Sequence, residues 1–115
     1  MIQLAFKTND PVNSSITSLE DLLVDQGPVM VVVYSDFWAL CLAAKPVVNR
    51  LERALTGEFR VVRINIMSDI GKDAVHSFDI RMVPTFIILD DAGQEIWRTA
   101  GTIPTLDDIT SLRQD

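Results

Sequence analysis

The stretch Val29-Met30-Val31-Val32-Val33-Tyr34 constrains the fold more than any other part of this 115-residue chain. It is a β-branched run without apolar–polar alternation, so a strand made from it needs cover on both faces, as an interior strand of a mixed or parallel sheet has. Helical patterns flank it. After it, from Leu40 onward, Val47, Val48, Leu51 and Leu55 recur at helical spacing while Asn49, Arg50, Glu52 and Arg53 fill other positions, predicting an amphipathic helix that ends near Thr56-Gly57. Before it, Thr17 and Glu20 have capping-box spacing ahead of Leu19, Leu22 and Leu23, and Gly27-Pro28 stops that short helix.

The rest of the chain continues the alternation. Ile2, Leu4 and Phe6 at period two predict a first strand, and Val61, Val62, Ile64 and Ile66 another. Asp69 to Phe78 carries a helical pattern through Ile70, Ala74 and Phe78. Thr85 to Leu89 reads as a strand, Asp90-Asp91-Ala92-Gly93 as a turn, and Gln94 to Thr99 as its antiparallel return. Thr105 and Asp108 cap a last helix through Leu106, Ile109 and Leu112. The order βαβαβαββα predicts one α/β domain, residues 1–115, whose central mixed sheet has helices on both faces.

Composition narrows the function. Ten basic and sixteen acidic side chains give 10 − 16 = −6, which disfavours a nonspecific grip on nucleic acid or anionic lipid. No apolar stretch is long enough to span a membrane. Met1-Ile2-Gln3-Leu4-Ala5-Phe6-Lys7 lacks the flank and apolar run of a secretory leader, so a cytoplasmic protein is expected. The single cysteine, Cys41, excludes an internal disulfide, and with one histidine it makes no structural zinc site without borrowed ligands. Neither metal nor cofactor is expected.

The segment Ile80-Arg81-Met82-Val83-Pro84-Thr85-Phe86-Ile87-Ile88-Leu89, the Asp-Asp-Ala-Gly turn after it and the later Gly101 together resemble the thioredoxin family. The likeness runs from about Val29 to Gly101, with the first strand and last helix matching in type. It implies the thioredoxin fold, a cis peptide bond before Pro84, and a Val83 backbone that pairs with an extended substrate strand.

The family's redox motif, Trp-Cys-Gly-Pro-Cys, belongs where this chain reads Tyr34-Ser35-Asp36-Phe37-Trp38-Ala39-Leu40-Cys41-Leu42-Ala43-Ala44-Lys45-Pro46. Setting Pro46 on the proline of the family's long helix needs no gap. Phe37 then takes the tryptophan position, Trp38 the first cysteine, Ala39 and Leu40 the Gly-Pro pair, and Cys41 the second cysteine. A rival register deletes one residue, making Cys41 the first cysteine with Ala44 in the second place. The gapless register is preferred because it keeps Pro46 and the apolar helix in step. Either way one thiol remains, whereas exchange needs one to attack and another to resolve. In the gapless register the family's buried aspartate falls on Val32, which moves no protons. Its basic partner becomes Arg63, which is permanently charged.

These departures imply a redox-inactive binding module, chaperone-like or a subunit of an assembly, that recognises protein or extended peptide through Phe37, Trp38, Val83 and Pro84. It is similar to family members with one cysteine in the motif, such as the chaperedoxins. That group carries an added helical-repeat domain, so an assembly factor fits equally. The alternative is a monothiol oxidoreductase or redox sensor in which Cys41 is catalytic, its thiolate favoured by a helix N-terminus and forming a mixed disulfide with a partner or glutathione. Against it stands Cys41 as a small buried hydrophobe. His76 reads as a surface residue, Asp90-Asp91 and Asp107-Asp108 as turn and helix-start residues, and Trp97 as a cross-strand packing residue.

Overall fold

A computed structural model describes Leu19 and residues 27–113. Strand β1 (Val29–Tyr34) lies inside a four-stranded sheet of order β2-β1-β3-β4. It is parallel to β2 (Arg60–Asn65) and antiparallel to β3 (Thr85–Leu89), which pairs in turn with antiparallel β4 (Glu95–Ala100). Ladders on both sides partner the β1 backbone, and its side chains divide between two cores.

Val29, Val31 and Val33 point to one face, where they join Val62, Ile64, Ile87 and Leu89 and meet Ile70 and Ala74 of α2 (Asp69–Ser77). Met30 and Val32 point to the other, where Phe86, Ile88 and Val61 meet Ala44, Val48 and Leu51 of α1 (Ala39–Ala54) and Ile109 of α3 (Leu106–Thr110). Each buried aliphatic side chain of this kind contributes about 1.5–3 kcal/mol, so the unalternating run is stable only because helices close both faces. The mixed sheet and two-sided cover agree with the sequence reading. Leu19 is helical and packs on the α2 side. The rest of the expected first helix and the expected strand at Ile2 to Phe6 lie outside the described residues.

Local chemistry sets the boundaries. Asp90 accepts hydrogen bonds from the backbone N–H groups of Ala92 and Gln94 at 2.9 Å each, holding Gln94 in the turn and starting β4 one residue later than its sequence pattern. Thr105 and Asp108 form the expected capping box, but α3 tightens into a 3-10 turn at Ser111–Arg113 instead of staying α-helical through Leu112. Trp97 faces Ile88 across the hairpin and is half-buried there, as a cross-strand packing residue should be.

Two positions carry backbone demands that periodicity does not reveal. Ser68 caps α2 by accepting from the Gly71 N–H at 2.9 Å, and its hydroxyl donates to the Asn65 carbonyl at 2.7 Å, drawing the helix start onto the end of β2. A Cβ on Gly71 would stand 1.9 Å from that same carbonyl oxygen. At its other end α2 closes in a Schellman motif, with Ile80 N–H donating to Val75 O and Asp79 N–H to His76 O. Asp79 therefore has φ 56°, a left-handed conformation that glycine adopts without penalty. Its exposed pairing with Arg81 offsets little of that cost.

Gly71→Ala should destabilise the protein by about 3 kcal/mol in urea unfolding, because backbone meets backbone and no flexible side chain can yield. Asp79→Gly should do the opposite. A gain of about 0.5–1 kcal/mol is expected from relief of the left-handed strain and from removing a carboxylate at the negative end of the helix.

Candidate functional site

The sheet register brings four loops to one pole. β1 and β2 run in parallel and end together at Tyr34 and Asn65, β3 begins at Thr85 opposite Val33, and β4 ends at Ala100 opposite Thr85. The loops at 35–38, 66–68, 81–84 and 101–102 thus share this end, beside the start of α1. The pole is tied together by polar contacts. Asn65 donates to the Asp36 carboxylate at 3.2 Å and accepts from the Met67 N–H at 2.8 Å. Gly101 N–H donates to the Pro84 carbonyl at 2.9 Å, and the Thr85 hydroxyl donates to the Met82 carbonyl at 2.6 Å.

Trp38 is the N-cap residue of α1, extended and without a side-chain cap, and Cys41 is the third residue of the helix. This places Trp38 outward and turns the thiol inward. Cys41 is 3% exposed, and its Sγ accepts a hydrogen bond from the Ser35 backbone N–H at 3.4 Å. Ser35 is buried and its hydroxyl accepts from the Phe37 N–H, so the loop folds back over the sulfur. Val32 and Ala44 are both buried in the core cluster on this face of the sheet. The guanidinium of Arg63 is engaged elsewhere, donating to Asn49 and Glu52 of α1 at 2.8 Å each. No acid–base relay to Cys41 is built from these groups.

Of the residues singled out in the sequence, Phe37 and Trp38 are open to solvent at 83% and 59%. Val83 is half-buried and packs against the core cluster on the α2 side, while Pro84 is buried behind a cis peptide bond. These two supply backbone and floor, and the exposed apolar surface begun by Phe37 and Trp38 is extended by residues the sequence reading did not assign to the site: Leu40, Leu42, Met67 and Met82. Six of the eight large apolar side chains exposed among the described residues sit at this pole, the other two being Ile96 and Leu106. The signal for them was present only as apolar residues in positions without periodicity, which by itself does not separate exposed from buried.

Charge at the pole comes in exposed pairs, one of them Arg81 with Asp79 at 3.2 Å. Asp36 lies 3.9 Å from Lys45, an exposed pair. His76 is exposed in the last turn of α2, Asp90 is used in its turn, and Asp107 and Asp108 sit at the start of α3. Among the described residues no three His, Cys, Asp or Glu side chains gather in a way that could hold a metal ion, and no helix is long and apolar enough to cross a membrane.

Comparison with known proteins gives one consistent result. The family model described as Thioredoxin matches residues 11–112. Thioredoxin 1 of Chlorobaculum tepidum is 33% identical over 88 residues, covering 76% of this chain and 84% of that protein. A thioredoxin of Synechocystis is 31% identical over 98 residues, covering 82% and 85%. Among solved structures, thioredoxin-2 of the malaria parasite superposes with a TM-score of 0.68 at 11% identity, over 77% of this chain and 84% of that one. A mutant thioredoxin from Halobacterium salinarum does so at 0.65 and 24% identity, over 82% and 78%.

The buried thiol makes a direct prediction. Folded protein at neutral pH should react with a maleimide at least about a hundredfold more slowly than the urea-unfolded chain, since reaction must await an opening that costs roughly 3 kcal/mol. Fast labelling of the folded form would show Cys41 to be accessible.

Proposed function

Because this chain belongs to the thioredoxin family, we propose that it is a polypeptide-binding module without oxidoreductase turnover, holding apolar extended segments of other proteins at the pole formed by Phe37, Trp38, Val83 and Pro84. The observation that supports this reading best is the crowding of exposed apolar side chains into that one end. Soluble proteins rarely leave such side chains contiguous unless something docks on them. Trp38 stands where the attacking thiol of the family belongs in the gapless register, and an indole offers contact area with few rotatable bonds in place of a nucleophile. The proposal keeps the cytoplasmic setting expected from the sequence, with a chaperone-like or assembly role.

The monothiol alternative asks more of the protein. Cys41 would have to leave its place beneath the 35–38 loop, and a second thiol would have to come from glutathione or a partner. Sustained reduction of insulin with glutathione present would replace the binding proposal with this one.

The experiment that tests the proposal uses reduced, carboxymethylated α-lactalbumin, a permanently unfolded chain with no free thiol. The protein should bind it, and Trp38→Ala should weaken binding at least about tenfold, the scale of losing an aromatic anchor, while circular dichroism stays unchanged because Trp38 is exposed. Equal affinity of the variant and the parent would sink the idea.

A further inference from the structure

The described residues contain four sulfur atoms, and burial divides them two and two. Met30 is fully enclosed and Cys41 is 3% exposed, whereas Met67 and Met82 are 62% and 52% exposed. Both exposed thioethers lie at the apolar pole, one in the loop after β2 and one in the loop before β3. Resting on the docking reading above, we propose that Met67 and Met82 are oxidation sites through which hydrogen peroxide lowers the affinity of the pole for polypeptide.

A thiol with thiolate character and access to solvent normally takes an oxidant before a thioether does. Here the cysteine is closed off and the two methionines are exposed, so the order reverses. Met82 is also held in place. Its backbone carbonyl accepts the Thr85 hydroxyl, and its Sδ lies along the bare Cα of Gly101, 2.6 Å from where a Cβ would stand. The sulfur is thus supported on one side by the Gly101 backbone, in a residue that is 52% exposed. In the reaction a sulfur lone pair attacks one peroxide oxygen and the O–O bond breaks. The thioether becomes a sulfoxide, oxidised by two electrons, and the other oxygen leaves as water after proton transfer. An apolar, polarisable contact is thereby turned into a polar one in the middle of a docking surface.

Limiting hydrogen peroxide on the 115-residue chain should add oxygen to Met67 and Met82 before Met30 and Cys41, read by peptide mass mapping. The oxidised protein should bind reduced, carboxymethylated α-lactalbumin about tenfold more weakly. A protein carrying Met67→Leu and Met82→Leu, compared only with its own untreated form, should lose no binding on the same treatment. Mapping that finds Met30 or Cys41 oxidised first, binding that survives oxidation of both thioethers, or an equal loss in the double variant overturns the inference and leaves the docking reading standing. Failure of the untreated protein to bind the probe overturns both.

Discussion

Burial of β1 on both faces decides what the pole above it can do. With Val29, Val31 and Val33 against one helical layer and Met30 and Val32 against the other, the strand carries no ionisable side chain into the interior. Among the described residues the only buried polar ones are Ser35 and Thr85, neither of which titrates in this range. Both lie where the sheet meets the loops, and both spend their hydroxyls on backbone, Ser35 on the Phe37 N–H and Thr85 on the Met82 carbonyl. Among the described residues the buried polar side chains therefore fix loop geometry and build no acid–base relay to Cys41. A buried carboxylate at position 32 would have needed a partner to offset its desolvation, and valine removes both the cost and the chemistry.

The inward turn of the thiol and the apolar surface of the pole are two sides of one geometry. The turn that carries Trp38 outward as the N-cap of α1 carries Cys41 inward three residues later, where the Ser35 N–H meets its sulfur. A short loop cannot present both. What remains exposed is carbon and thioether, and what remains buried is the thiol.

The fold was legible because its signals are local and repeated. The unalternating valines, the helical spacing through Val48 and Leu51, and the Thr105–Asp108 capping box each specify an element without knowledge of its neighbours. Phe37 and Trp38 were legible as surface because the resemblance placed them on a loop. Leu40, Leu42, Met67 and Met82 were not, since whether an apolar side chain near an element's end faces water depends on which loops converge beside it. Gly71 was missed for a related reason: its demand comes from the Asn65 carbonyl, six residues earlier, and only the packing of α2 onto β2 brings that oxygen to 1.9 Å from a Cβ position. Asp79 hides in the same way, because its left-handed backbone belongs to a Schellman closure rather than to any preference of aspartate.

A protein that exposes six large apolar side chains at one end must also avoid sticking to itself. The charge distribution supplies a physical means. A formal net charge of −6 on 115 residues makes like copies repel, while the charges in the pole's loops lie in opposite-sign pairs, Asp36 with Lys45 and Arg81 with Asp79, which leaves the apolar surface locally close to neutral. Two copies approaching pole to pole bring two net negative bodies together, whereas an uncharged or basic extended chain meets no such barrier. Because repulsion of this kind acts over roughly a Debye length, about 8 Å at physiological salt, it biases encounter rather than contact. On the docking reading proposed above, charge would discriminate against a second copy while apolar area would accept another chain.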